Sequence, residues 1–234
     1  MDKPDVLSKK QIEEKAIEFL EKYSPNSLVT PAKVDLELIL EEIGLTIDYQ
    51  KMDLDNTILG LTAFNDGILN VYSDDDTLHP INVTKGTIII NKNLASYEKL
   101  QGRFQYTLGH ETGHWVLHQK IFYVDENQQS LFDTKDSNDN NLICSKRDEK
   151  FLLKRGFKTD LEWIEWQADY FSSCVIMPRD IFKQEYEKLL ETGFSSTGAI
   201  RQLAKIFEVS KMACAIRVNN IYEKNIVNNF SLFE

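Results

Sequence analysis

Between Tyr106 and His118 the chain reads Tyr-Thr-Leu-Gly-His-Glu-Thr-Gly-His-Trp-Val-Leu-His, and within that run His110, Glu111 and His114 form the pattern H-E-x-x-H. Residues four apart on an α-helix lie one turn above each other, so the two imidazoles can reach a single ion from one face. Glu111 is offset by one position and misses that face. There it can hold an attacking water and take its proton, the general-base part of metal-assisted peptide hydrolysis. A catalytic zinc uses three protein ligands and keeps a fourth position open, so a third ligand is required. Downstream, Glu165 and Asp169 stand four apart in an apolar helical pattern that runs from Trp163 to Pro178. That pair suits a division of labour in which Glu165 ligates the metal and Asp169 accepts the remaining N–H of a ligand histidine, fixing its tautomer. The expected site is therefore His110, His114 and Glu165 on Zn2+, with Glu111 as the catalytic base and Asp169 behind the ligands.

These two stretches, H-E-x-G-H-x-x-x-H and E-x-x-A-(N/D)-x-F-(A/S)-x-x-(L/V)-(L/I)-M-P, resemble the ImmA/IrrE family of zinc metallopeptidases, over about Val34 to about Ile221. The resemblance implies the same assignment: zinc on His110, His114 and Glu165, with Glu111 as base. It also implies a protein substrate, a repressor with a helix-turn-helix domain. Two departures stand out. The position after the motif alanine, commonly Asn, is Asp169, and Glu165 lies 51 positions after His114.

The other polar groups are weaker candidates. His118 continues the four-residue step and can ligate, but His110 and His114 already fill the turn, so it reads as a helix-end residue or a support for the ligands. His79, before Pro80, reads as a surface residue. Tyr106, Tyr123 and Tyr170 are candidates to stabilise a tetrahedral intermediate, and the sequence does not choose among them. Trp115, Trp163 and Trp166 read as packing residues.

The elements that must position this site follow from periodicity and punctuation. Ser8 to Gln11 has capping-box spacing ahead of Ile12, Ala16, Phe19, Leu20 and Tyr23, predicting a helix that stops at Ser24-Pro25. Val34 to Ile43 predicts a second helix ended by Gly44, with a strand over Leu45 to Gln50. Ile58 to Phe64 and Ile68 to Tyr72 flank Asn65-Asp66-Gly67, which predicts a hairpin. An acidic loop over Ser73 to Thr84 then leads to a strand at Thr87 to Asn91, and the helix bearing His110 is expected to begin after Asn93. Either that strand or the hairpin is a candidate rail for an extended substrate, with a core role the equal alternative. The polar run from Asp133 to Asn141 makes the stretch at about 119–160 a long loop, a candidate border of the cleft. Arg179 to Glu191 predicts a helix, and Thr197 to Arg217 a helix, a turn at Glu208 and a second helix capped by Ser210. This last pair resembles a helix-turn-helix; packing is its first reading, partner recognition the second and DNA binding the last.

The expected fold class is α+β, a small mostly antiparallel sheet packed on the H-E-x-x-H helix and followed by a helical C-terminal part. The expected division is an N-terminal helical extension at 1–33, a peptidase domain at 34–192 and a helical subdomain at 193–234. With 42% hydrophobic and 27% charged residues the 234-residue chain has an ordinary globular composition. A net charge of −10, from 37 acidic against 27 basic residues, argues against a broad nucleic-acid footprint. The start of the chain lacks a signal-like apolar run, no stretch is long enough to span a membrane, and Cys144, Cys174 and Cys214 are widely spaced and odd in number. A cytoplasmic protein with reduced thiols is expected. The leading function is an intracellular zinc-dependent endopeptidase acting on a regulatory protein. The alternative is a non-catalytic, metal-containing regulator or binding module that works through protein contacts, and the two differ in whether Glu111 matters.

Overall fold

The computed structural model describes residues 5–122, 142–146, 159–223 and 226, with 142–146 described as backbone. The fold is α+β. The first helix, α1 (Lys9–Tyr23), starts at a complete capping box in which the Ser8 hydroxyl accepts the Gln11 N–H and the Gln11 side chain reaches back to the Ser8 N–H. Helix α2 (Leu36–Glu42) is capped by Asp35, and Gly44 ends it at φ 79°, a left-handed conformation that suits glycine. The chain then enters β1 (Thr46–Gln50), followed by β2 (Ile58–Ala63), β3 (Gly67–Tyr72), β4 (Leu78–Val83) and β5 (Thr87–Asn91).

Two expectations about these strands are overturned. Strands β2 and β3 do not form a hairpin: β3 pairs with β4 in a separate two-stranded ribbon, and β2 pairs with β5. Asn65-Asp66-Gly67 instead carries the chain from sheet to ribbon. Asp66 accepts the Lys85 N–H at 2.7 Å, and Gly67 does not take the positive φ that a two-residue hairpin turn demands. The acidic stretch read as loop contains β4. Pro80 hides that strand from a sequence reading, but it is tolerated because β4, among the described residues, pairs on one side only, with β3. The acidic residues form the tip between β3 and β4, where Ser73 donates its N–H to Thr77 and Asp76 takes φ 64°.

Among the described residues the main sheet has the order β1-β5-β2-β6, with β6 (Leu142–Lys146) at its second edge. Strand β1 runs parallel to β5, and β2 is antiparallel to both β5 and β6, so the sheet is mixed. All of β5 is buried, because Ile88 and Ile90 join the main core while Ile89 joins a second, smaller core under the ribbon. A strand buried on both faces reads as a continuous β-branched run, as Thr87 to Asn91 does. Its central position removes it as a substrate rail, since both of its edges are already paired. Strand β6 lies inside the stretch read as a long loop; most of the remainder of that stretch lies outside the described residues.

Five residues after β5, α3 (Lys92–Ser96), and a short turn precede α4 (Gln101–Phe122), so the helix with His110 begins later than Asn93. Tyr97, extended at φ −118°, makes the break. Helix α5 (Asp160–Ile176) is capped by Thr159 and carries Asp160 and Glu162 in its first turn, where acidic groups favour the helix N-terminus. Helices α6 (Arg179–Glu191), α7 (Ser196–Ile206) and α8 (Lys211–Tyr222) follow as expected, with Glu208 at φ 51° in the turn and Ser210 as the cap of α8. Residues Met212 to Val218 of α8 are buried without interruption. A recognition helix must present a polar face to a groove, so this burial favours the packing reading of the pair.

One apolar core runs from Ile12 of α1 to Ile221 of α8. At its N-terminal side Arg217, fully buried, holds Glu13 with two hydrogen bonds of 2.7 and 3.0 Å and donates Nε to the Met177 carbonyl. Tyr170 donates to the same carboxylate at 3.2 Å, and Arg179 lies 3.5 Å away. Burial alone would raise the Glu13 pKa, but the Arg217 charge and hydrogen bonds hold it below its ordinary 4.5. Glu13→Gln should cost about 3 to 5 kcal/mol, because it leaves a buried guanidinium without its counter-charge. Urea unfolding at neutral pH measures it. The contribution of a depressed carboxyl is complete above its unfolded value and is lost as pH falls through the folded one. Wild-type stability should therefore decline below about pH 4.5, and the variant should lack that part of the decline.

Candidate metal centre

The two helices α4 and α5 cross at unusually close range. Gly109 and Gly113 lie one turn apart on α4, facing Ala168 and Ser172 on α5. A Cβ at Gly109 would stand 2.5 Å from Ser172 Oγ, and one at Gly113 would stand 2.9 Å from the Ala168 carbonyl. Hydrogen bonds lock the crossing: Tyr106 donates its hydroxyl to the Asp169 carbonyl at 3.1 Å, and Ser172 donates to the Tyr106 carbonyl at 2.8 Å.

This contact sets His110 and His114 opposite Glu165. The ligating atoms of the three lie within 4.8 Å of one another, and among the described residues they form the one group of this kind. The histidines converge through Nε2, 2.8 Å apart, with Glu165 Oε2 3.4 Å from His110 Nε2 and Oε1 3.3 Å from His114 Nε2. Both rings are fully buried, whereas the Glu165 side chain keeps 20% of its surface exposed, so solvent reaches the group from the α5 side. Burial would push the Glu165 carboxyl up, but the imidazoles of His114 and His110 hold it well below the usual carboxylate range. Two imidazole nitrogens and a carboxylate gathered in this way can form a donor set for a cation once both nitrogens present lone pairs.

Behind the group, His110 turns Nδ1 to Asp169 Oδ1 at 2.8 Å, and His114 turns Nδ1 to His118 Nδ1 at 3.1 Å. Burial and the neighbouring His114 lower the His118 pKa well below 6.5, so its ring is neutral at pH 7.

Glu111 is fully buried and is not one of the three converging groups. It faces β2: Thr62 donates Oγ1 to Glu111 Oε2 at 2.8 Å and approaches the Glu111 carbonyl at 3.1 Å, while a Cβ at Gly60 would run into Oε1. Sequence reading missed both Thr62 and Gly60. A glycine and a threonine two apart in an apolar strand were the available signal, since a strand glycine marks a close approach.

Other candidates fall away from this centre. The Tyr106 hydroxyl is committed to the α4–α5 crossing, Tyr170 packs on Glu13, and Tyr123 lies outside the described residues. His79 sits on β4, with Nδ1 3.4 Å from the Thr77 carbonyl. The tryptophans pack as expected, Trp115 on Phe64 and Trp163 on Trp166 with ring centroids 5.8 and 4.9 Å apart. Cys174 and Cys214 are buried, and burial pushes both thiols far up, as core residues require. The side chain of Cys144 is outside the described residues.

Comparison with known proteins adds one finding. Residues 141–219 match the Peptidase_M78 family model, the IrrE N-terminal-like domain. The resemblance to the ImmA/IrrE family is shown by this match, which covers Glu165 and Asp169 and begins beyond the helix that carries His110 and His114. No curated protein matches the chain. No helix among the described residues is long and apolar enough to cross a membrane.

The packing of Glu111 on β2 predicts that Gly60→Ala destabilises the protein by about 1 to 3 kcal/mol, the usual cost of overpacking. Thermal unfolding would register it. Gly67→Ala, where a Cβ meets nothing within 4 Å, should leave the midpoint nearly unchanged.

Proposed function

We propose, with the metallopeptidase family matched by residues 141–219 as premise, that this chain is a cytoplasmic zinc-dependent endopeptidase. In this reading it cuts a specific regulatory protein, a repressor of the helix-turn-helix type. The observation that carries the proposal is the convergence of His110, His114 and Glu165 beside a separately held Glu111. Two nitrogens and one carboxylate oxygen are a known catalytic zinc set, and at bond lengths of about 2.0 to 2.1 Å the edges of a zinc tetrahedron measure about 3.4 Å. The nitrogen to oxygen separations of 3.3 and 3.4 Å suit that geometry, and the 2.8 Å between nitrogens is shorter than it.

Bound there, zinc would supply Lewis acidity that polarises the scissile carbonyl and brings the pKa of a water down to about 7. The remaining steps belong to the chain. Glu111 takes the proton of the attacking water and delivers it to the leaving amine. Thr62 and Gly60 fix where that carboxylate stands. Asp169 accepts the Nδ1–H of His110, which leaves the Nε2 lone pair for the ion and makes the ring more basic. Substrate enters from the exposed side of Glu165. Because β5 is central, the rail for an extended peptide moves to β6, the edge strand paired to the same β2 that holds Glu111.

Metal analysis after zinc reconstitution should give one equivalent per chain, reduced in His110→Ala, His114→Ala and Glu165→Ala. Asp169→Ala should weaken binding by roughly 10- to 100-fold in chelator competition. The decisive comparison sets wild type against Glu111→Gln, incubated with a purified repressor of the helix-turn-helix type. Glu111→Gln should keep its metal and lose at least about 100-fold in turnover, the lower range for positioned proton transfer. Cleavage by wild type that vanishes in the variant and in chelator supports the peptidase. Equal effects of both proteins on the repressor without fragments would instead establish the non-catalytic binding module.

A further inference from the structure

We infer that His118 is a positioning residue for the metal centre, accepting the Nδ1–H of His114 and so fixing the tautomer in which His114 can act as a ligand. The inference rests on the metal-site reading above and adds a residue to it.

The argument is one of counting hydrogens. His114 and His118 face each other through Nδ1 atoms 3.1 Å apart, inside a helix face buried on all sides. A hydrogen bond between two such nitrogens contains one hydrogen and one lone pair. If the hydrogen sits on His118, the lone pair is on His114 Nδ1, and the neutral His114 ring then carries its own hydrogen on Nε2. That Nε2 is the atom aimed at His110 and Glu165, so this arrangement removes His114 from the donor set. If the hydrogen sits on His114 Nδ1, Nε2 offers its lone pair and His118 carries its hydrogen on Nε2. One assignment is compatible with a ligand His114, and it is the one in which His118 presents a lone pair at Nδ1.

The surroundings of His118 fit this assignment. Its Nε2 is buried with no hydrogen-bond partner among the described residues, and the Gln167 side chain lies beside the ring. Gln167 commits one of its two amide N–H groups to the Asp5 carbonyl at 2.8 Å, and its oxygen can accept from a donor on His118. The two ligand histidines thus have supports of different chemistry at equivalent atoms. His110 rests on the carboxylate of Asp169 from the neighbouring helix, and His114 on a ring one turn further along its own helix. Spacing made His118 a candidate ligand, but Nδ1, the atom it turns toward the site, is occupied by His114.

The tautomers can be read directly by long-range proton–nitrogen correlation spectroscopy on zinc-loaded protein. The expected result is His114 protonated at Nδ1 and His118 protonated at Nε2; His118 protonated at Nδ1 would overturn the inference. Two variants give an independent measure. His118→Asn places an amide oxygen near the position of Nδ1, and His118→Leu fills the space without an acceptor. In competition against a chelator, His118→Leu should bind zinc about 10- to 100-fold more weakly than wild type, the range for groups that support ligands. His118→Asn should recover most of that loss, and the visible bands of the cobalt-substituted protein should follow the same order. Equal zinc affinity in all three proteins, or equal losses in both variants alongside equal losses in metal-free stability, would show that the ring only fills space. A wild type that binds no metal, with its fold intact, would instead overturn the metal-site reading itself and His118's role with it.

Discussion

Everything at the candidate centre depends on how closely α4 and α5 approach. Neither helix holds a complete donor set: α4 carries two imidazoles and α5 a carboxylate, and their ligating atoms gather within 4.8 Å only because two glycines on α4 leave room for the backbone of α5. Small residues one turn apart on facing helices allow such contact, and here they are interleaved with the functional ones. Gly109 precedes His110, Gly113 precedes His114, and Ala168 precedes Asp169. On a helix, adjacent positions are about 100° apart. The face that packs and the face that carries the candidate donors are therefore set side by side by the sequence itself, and a side chain added to the first would separate the groups on the second.

A second constraint acts from the far end of α5. The Glu13–Arg217 pair, with Tyr170 and the Met177 carbonyl, ties α1 and α8 to the last turns of the helix that carries Glu165 and Asp169. Buried ion pairs of this kind are poor sources of stability compared with apolar packing, but they are intolerant of misalignment because each charge has few acceptable partners. The C-terminal helices, which share a pattern with helix-turn-helix modules, are thereby fixed inward. Arg217 shows the difference in use: the α8 guanidinium is fully buried against Glu13 rather than offered to solvent.

The site was more legible in the sequence than the sheet. His110, His114, Glu165 and Asp169 announce themselves because helical spacing turns residue numbers into geometry, with an intervening segment of any length. The boundaries of α1 and α2 were equally readable from Ser8 and Gly44. Strand pairing is a different problem, since it joins segments whose partners are chosen by the whole layer arrangement. Asn65-Asp66-Gly67 carried a strong local hairpin signal, yet both edges of β2 were claimed by β5 and β6, and β3 found β4 instead. Pro80 disguised β4, and the polar neighbourhood of residues 142–146 disguised β6. Thr62 and Gly60 left only the weak signal of a glycine inside an apolar strand, because their importance depends on which helix lies beneath them.

Their place in β2 has a consequence for folding fidelity. Alternate residues of a strand face opposite sides, so a shift of one position in its pairing would replace Thr62 above Glu111 with Leu61 or Ala63. A buried carboxylate would then meet an apolar side chain with no donor. The pairing of β2 with β6 already contains an irregularity between Ile58 and Gly60, the point at which such a shift would have to be absorbed. The Thr62–Glu111 hydrogen bond is therefore available in one strand alignment alone, and the buried carboxylate penalises a misregistered sheet.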